Sequence, residues 1–502
     1  MIKELNDLLH FVKTSVWRDE QLLTFFANTD PELLHLYQTV WKNNLASDAE
    51  AARTADLGLT TYKKQARSLR KVLRQMSIFF DEEKAKVDAT VKNYVEGTLE
   101  LALMNLLHMR GYRHAPLGIA KRLYRRGIDY DVPGFAAEAL RVLKESVISV
   151  GGSARQFDAY SAEYWTCRAY AEAEERAADC FQRLKLPHLQ HKAPQGDFQA
   201  QTRQCLQALE PFKGKTPSYL FHVYFYIIRG NYLLETANFN AALDNFNEAI
   251  RYFQSKRYPV GNSLAMFYYA KVPACIGLRQ YAEGEQAVLA SLDHAPNGSH
   301  NFFNANEMYF YLAMHAGKYA QALELYQTTT RHRRFSNLRP PQRETWHILG
   351  AYLFILYQLK GWTPPENSLP VFRSFRFNNE TPVYGQDKTG MNVAIQIAFT
   401  LLLLLEGRKG DVLERIEALE KYRSRYLHHP GAGRSNLFIR ILLQLPKSNF
   451  QTPVFRQKIE PLLQELSAAP HRPANQQYEL EIIPYETLTG LLLEFLVRRK
   501  GD

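Results

Sequence analysis

The sequence predicts an all-α protein, and three observations carry that expectation. Nearly every segment between loops sets apolar residues three and four apart, the period of one helix face. No series of alternating strands bounded by hairpin turns occurs. Gly and Pro punctuate these segments at the intervals expected of turns between antiparallel helices. Hydrophobic residues make up 46% and charged residues 23% of the 502, a balance that excludes wholesale disorder and allows ample core. Lys and Arg outnumber Asp and Glu by 62 to 51, a net charge of +11 that suggests acidic partners.

Taken in order, the opening MIKELNDLLHFVKTSVWRDE carries a charge every few residues and has no uninterrupted apolar stretch, so a secretory signal is not expected there. The first well-marked helix follows Gly58. Tyr62, Ala66, Leu69, Leu73, Met76 and Phe80 step by four and three, and Lys63, Lys64, Arg67, Arg70, Lys71 and Arg74 fill the spaces. That pattern predicts an amphipathic helix over 62–80 with a basic exposed face, capped by Thr60 or Thr61. Three more helical patterns lie between Glu82 and Ser149, separated by turns at Gly111 and at Val132-Pro133-Gly134. Asp158 to Lys185 reads as a long helix. The Pro- and Gly-bearing run from Leu186 to Phe198 opens a linker, and the domain division is expected across 186–217 after a helical domain at 1–185.

A repeat signal begins beyond the linker. Phe239, Ala242, Phe246 and Ala249 share a grammar with Tyr281, Gly284 and Val288, and with Tyr319, Ala322 and Tyr326. Each follows a small or polar turn with an aromatic and then a small residue three positions on. The leading aromatics at 239, 281 and 319 are 42 and 38 residues apart, and Trp346, Leu349 and Gly350 open a fourth unit in the form W-x2-L-G. On these residues the chain resembles the tetratricopeptide (TPR) repeat superfamily, whose helical hairpins touch at small residues and interlock through aromatics. The resemblance covers 218–360. It implies an α-solenoid of stacked antiparallel hairpins, elongated and curved, whose groove binds a protein or peptide. An insertion rich in Pro, Asn and aromatics is expected at 361–390, and helical hairpins at 391–502. In this last third the segments from Arg415, Arg434 and Glu481 are similar to uncharacterised bacterial proteins with TPR-like repeats.

No motif rises to a catalytic signature, so the expectation is a protein without an enzyme's chemistry or a cofactor. Gly214-Lys215-Thr216 ends like a phosphate-binding P-loop, but Leu209 stands where the first glycine is needed, and Thr216-Pro217 reads as a helix cap. No HExxH occurs, and His188 and His191 have no third ligand close in sequence. The cysteines, Cys167, Cys180, Cys205 and Cys275, show no CxxC spacing and read as reduced thiols of a cytoplasmic protein. The run from Ala394 to Leu405 is 12 residues, against the roughly 20 of a membrane span.

What remains is charge beside aromatic rings. Arg331, Arg333, Arg334, Phe335 and Arg339 form one cluster, Arg373, Phe375 and Arg376 a second, and Arg423, Arg425, His428, His429 and Arg434 a third. Such patches suit an acidic protein or peptide partner. The alternative is a nucleic-acid-associated regulator that grips phosphate through the basic helix and the same arginines. A helix-turn-helix about Gly58 is disfavoured because its reading helix needs apolar residues where Lys64 and Arg67 stand.

Overall fold

The computed structural model describes residues 1–43, 45–78, 89–149, 151–189, 197–381, 390–427, 433–469 and 481–499. Among them every regular element is helical. The chain divides into two compact units, residues 1–168 and 169–502.

The first unit opens with α1 (Ile2–Ser15), α2 (Asp19–Thr29), α3 (Pro31–Lys42), α4 (Asp48–Thr54) and α5 (Leu59–Met76). α5 buries Tyr62, Ala66, Leu69, Leu73 and Met76, the stripe its spacing predicts, against a core that includes Leu5, Leu9 and Val12 of α1 and Leu36 and Val40 of α3. Phe80 lies outside the described residues. The cap differs from expectation: Gly58 takes the extended cap conformation and Leu59 begins the helix, which leaves Thr60 and Thr61 within the first turn. α6 (Ala89–Met109), α7 (His114–Asp129) and α8 (Pro133–Ser149) follow. Their core holds Met104, Ile119, Leu123, Phe135 and Leu140, and Arg126 of α7 reaches Glu96 and Asn93 of α6 at 2.6 and 2.5 Å.

α9 (Ala154–Leu189) spans the division, so the boundary falls inside a helix and not across 186–217. Within that expected linker stands α10 (Asp197–Leu209), which buries Thr202, Cys205 and Leu209. Those steps of three and four make a helix stripe too short to stand out in a Pro- and Gly-bearing neighbourhood. Ser218, not Thr216, caps the next helix: its hydroxyl accepts from the Phe221 N–H at 3.2 Å, while Thr216 Oγ1 accepts from the Ser218 N–H.

The second unit continues as α11 (Tyr219–Glu235), α12 (Phe239–Gln254), α13 (Gly261–Gly277), α14 (Tyr281–His294), α15 (His300–His315), α16 (Tyr319–Thr330) and α17 (Pro340–Lys360). Each packs on the next in chain order. Aromatic rings lie against Gly230 and Gly350 of these helices, whereas Gly284 meets Leu312 and Cys275. A methyl group on Gly230 would lie 2.4 Å from the Phe246 ring, and one on Gly350 would lie 2.6 Å from the Tyr326 hydroxyl. Neither position admits a side chain without displacing the ring against it.

The turns inside these hairpins share one backbone solution. Ala237, Arg279 and Gly317 adopt the left-handed conformation, with φ of 55°, 58° and 72°. The next residue's N–H then closes back on the preceding helix, Asn238 to Leu233 O, Gln280 to Cys275 O and Lys318 to Ala313 O, at 2.8 to 2.9 Å. This is the Schellman closure, and only glycine adopts it without a Cβ penalty. Ala237→Gly is therefore expected to stabilise the chain by about 0.5 kcal/mol, the relief of left-handed strain exceeding the added unfolded-state entropy. Chemical denaturation would show the higher midpoint.

Beyond α17 come α18 (Ser374–Glu380), α19 (Met391–Leu405), α20 (Lys409–Tyr426), α21 (Gly433–Leu442), α22 (Gln444–Lys447), α23 (Thr452–Ala468) and α24 (Tyr485–Arg498). α18 is a helical turn within the expected insertion, whose residues 382–389 lie outside the described residues. α17 and α19 are buried on nearly all sides, so the apolar run at 394–405 is a core helix. No helix among the described residues is long and apolar enough to cross a membrane. α24 docks on this core partly by capping it. Arg498 donates to the Leu359 and Lys360 carbonyls at the end of α17, and Arg499 to the Leu404 carbonyl at the end of α19 at 2.7 Å. Cations over these terminal carbonyls also complement the negative ends of both helices.

Candidate partner-binding surfaces

The basic face of α5 is real, and it divides in two. Arg70 and Arg74 both clasp Glu4 of α1, at 2.5 Å for Arg70, and these hydrogen bonds hold the Glu4 carboxyl below its ordinary pKa. Lys63, Lys64, Arg67 and Lys71 are exposed and have no ion-pair partner among the described residues. Lys64 and Arg67 thus point outward, and α5 packs through Tyr62, Ala66 and Leu69 instead. A shallow groove of about 330 Å³ runs along Arg67, Arg70, Lys71, Arg74, Gln75 and Ile78.

In the second unit, the first arginine cluster occupies the link between α16 and α17. Arg331 is exposed but donates to the Asn367 carbonyl at 2.5 Å. Phe335 is half-buried, edge-on to Phe303 with ring centres 6.4 Å apart. Arg333, Arg334, Arg339 and the nearby Arg343 are exposed and meet no carboxylate among the described residues. His332 anchors this link, with Nε2 3.0 Å from Asn297 Oδ1 and its ring against Phe302 and Phe303.

The second cluster is partly consumed. Arg376 pairs with Glu380 one helical turn on, at 2.7 Å. Phe375 is 49% exposed, but Arg408 lies over its ring at 4.1 Å. Arg373 is exposed. Nearby, Arg415 covers the Phe399 ring at 4.8 Å, and burial pushes its pKa down to about 10.

The third cluster loses Arg434, which is buried. Arg434 is 2% exposed, and its guanidinium is fully engaged. It meets Glu481 through two hydrogen bonds of 2.8 and 3.0 Å, Glu486 at 2.6 Å and the Leu466 carbonyl at 2.7 Å. Burial alone would lower its pKa, but the two carboxylates outweigh that and push it up. Arg434 is therefore a buried tie and cannot touch a partner. Arg423 is half-buried and reaches Asn436 at 3.4 Å, whereas Arg425 is exposed beside the Tyr426 ring at 5.2 Å. His428 and His429 lie outside the described residues, as does His191.

Comparison with family models, with curated proteins and with solved structures finds no match to this chain. The surfaces must be judged on their own chemistry. Burial pushes Cys167 up to about 11 and Cys180 and Cys275 up to about 12, the opposite of an activated nucleophile. Among the described residues no group of three His, Cys, Asp or Glu is placed to hold a metal ion.

Local spacing missed one site. A cleft of about 680 Å³ opens where the 213–217 loop meets α11 and α12. Lys213 and Lys215 come from the loop, His222 and Tyr226 from α11, Glu248 and Tyr252 from α12, and Lys256 from just beyond it. Within it Lys213 pairs with Glu248 at 2.6 Å, and Lys256 Nζ donates to the Tyr252 hydroxyl at 2.8 Å. The only sequence signal was Gly214-Lys215-Thr216, met as a fragment of a P-loop. The loop is not a phosphate cradle, because the N–H groups of Lys215 and Thr216 are already spent on the Phe212 carbonyl at 2.9 and 3.0 Å.

Proposed function

We propose that this chain is a non-catalytic scaffold that binds an acidic protein or peptide through surfaces displayed on TPR-like stacked hairpins. The observation that carries this reading is the arginine cluster at the α16–α17 link. Arg333, Arg334, Arg339 and Arg343 share one exposed stretch with no carboxylate in ion-pair range among the described residues. Uncompensated guanidiniums on a rigid helical frame favour planar, acidic groups of a partner and raise its rate of encounter. The TPR-like assignment is supported by the repeated left-handed turns and by aromatic rings seated on Gly230 and Gly350. Replacing Arg331, Arg333 and Arg334 together with Ala is expected to reduce partner capture by at least about tenfold while circular dichroism stays unchanged. Capture at the wild-type level would overturn the assignment.

The second reading, a regulator that contacts nucleic acid, is favoured by one observation in the first unit. Lys63, Lys64, Arg67 and Lys71 form a cationic row on α5 with no ion-pair partner among the described residues. Its signature would be affinity for DNA or RNA that falls steeply with salt.

A further inference from the structure

We infer that the cleft between the 213–217 loop and the α11–α12 hairpin is the anchoring site for an acidic segment of the partner, a carboxylate-bearing peptide in extended form. The inference rests on the scaffold reading and gives it a place. Three lysines line the cleft against a single carboxylate, Glu248. That carboxylate is already committed: it takes Lys213 at 2.6 Å, Arg229 at 3.7 Å and the Tyr226 hydroxyl at 3.2 Å. Burial would raise its pKa, but Lys213 and these neighbours hold it below the ordinary carboxyl value, so it stays charged and paired. Lys215 is exposed and has no carboxylate in ion-pair range among the described residues.

The remainder of the cleft is built and held in place. Tyr252 packs on His222 with ring centres 4.0 Å apart and donates to the Pro217 carbonyl at 3.1 Å. His222 is 3% exposed and its Nε2 lies 3.0 Å from the Thr216 carbonyl. Lys256 is fixed over the Tyr252 ring at 4.1 Å. Cations thus stand beside a preformed aromatic wall, the combination that seats an acidic side chain and packs its chain neighbour.

Size and shape decide what enters. The cleft, at about 680 Å³, far exceeds one phosphate and is open to solvent along its mouth. The spent loop N–H groups also remove the usual phosphate donors. An extended segment crossing the cleft matches both facts.

The test uses the full chain and two fluorescein-labelled peptides of identical length, one alternating Glu and Tyr and the other Gln and Tyr, read by fluorescence anisotropy at low salt. The Glu peptide is expected to bind at least about tenfold tighter than the Gln peptide, and Lys215→Ala with Lys256→Ala to remove that advantage. Lys215→Ala alone, at an exposed position, is expected to remove part of it with no change in thermal midpoint. Equal binding by wild type and both cleft variants, with loss in the Arg331, Arg333 and Arg334 variant, would overturn the cleft while leaving the scaffold reading intact. No preference for the Glu peptide in any form would overturn both. Displacement of the peptide by an equimolar concentration of inorganic phosphate would show a small-anion site and overturn the peptide assignment.

Discussion

Arg434→Ala is expected to destabilise the 169–502 unit by about 3–5 kcal/mol, the cost of leaving a buried carboxylate without its counter-charge. Glu481 is 1% exposed and cannot recover its lost partner from water. The damage spreads because the ion pair joins three helices. Arg434 stands in the first turn of α21, its guanidinium also caps the Leu466 carbonyl in α23, and Glu481 accepts from the Tyr485 N–H at the start of α24. Tyr485 in turn stacks on Phe438 with ring centres 4.5 Å apart, and His315 Nε2 lies 2.6 Å from the Glu481 carbonyl. Denaturant titration of the full chain should show the loss as a lower midpoint for the second unit. Pairing the change with Glu481→Gln should recover part of it, since the orphaned charge is then gone. An unaltered midpoint for Arg434→Ala would refute the buried tie.

Trp346→Ala is expected to cost about 3–5 kcal/mol, the range for emptying a fully buried aromatic site. Trp346 is 1% exposed and stands edge-on to Phe310 at 5.9 Å, with Tyr326 at 6.3 Å. The indole therefore fastens α17 to both α15 and α16. The matched control is Trp165→Ala, because Trp165 is 64% exposed and its loss should shift stability by only a few tenths of a kcal/mol. Comparable losses from the two would show that α17 is not interlocked with the preceding hairpin.

These two residues also mark how far the sequence could be read. Trp346 was legible because its neighbours in space are its neighbours in pattern: Leu349 and Gly350 follow at fixed offsets, and the helix they define is the one observed. The α5 stripe was legible for the same reason. Arg434 was misread because grouping it with Arg423 and Arg425 used closeness along the chain, while its partner Glu481 lies 47 positions away. Arg70 and Arg74 show the same blindness, since Glu4 is 66 and 70 positions distant. Charge spacing reports which faces are basic but not which charges are already paired. The cleft was hidden more completely, because no short stretch contains it: its lysines and its aromatic wall come from two helices, the loop before them and the residues just after them. The division inside α9 was invisible too, for a continuous helix gives no compositional break at the point where packing changes partners.

The central claim is that the partner is a protein and is held through charge on the helical frame. It is tested most directly by affinity capture of the tagged full chain from its native cell, with and without nuclease, followed by mass spectrometry. The same protein partner is expected in equal yield after nuclease treatment, and its loss is expected when Arg331, Arg333 and Arg334 are Ala. A partner set that disappears with nuclease, or capture of nucleic acid alone, would contradict the claim and transfer the function to the cationic row on α5.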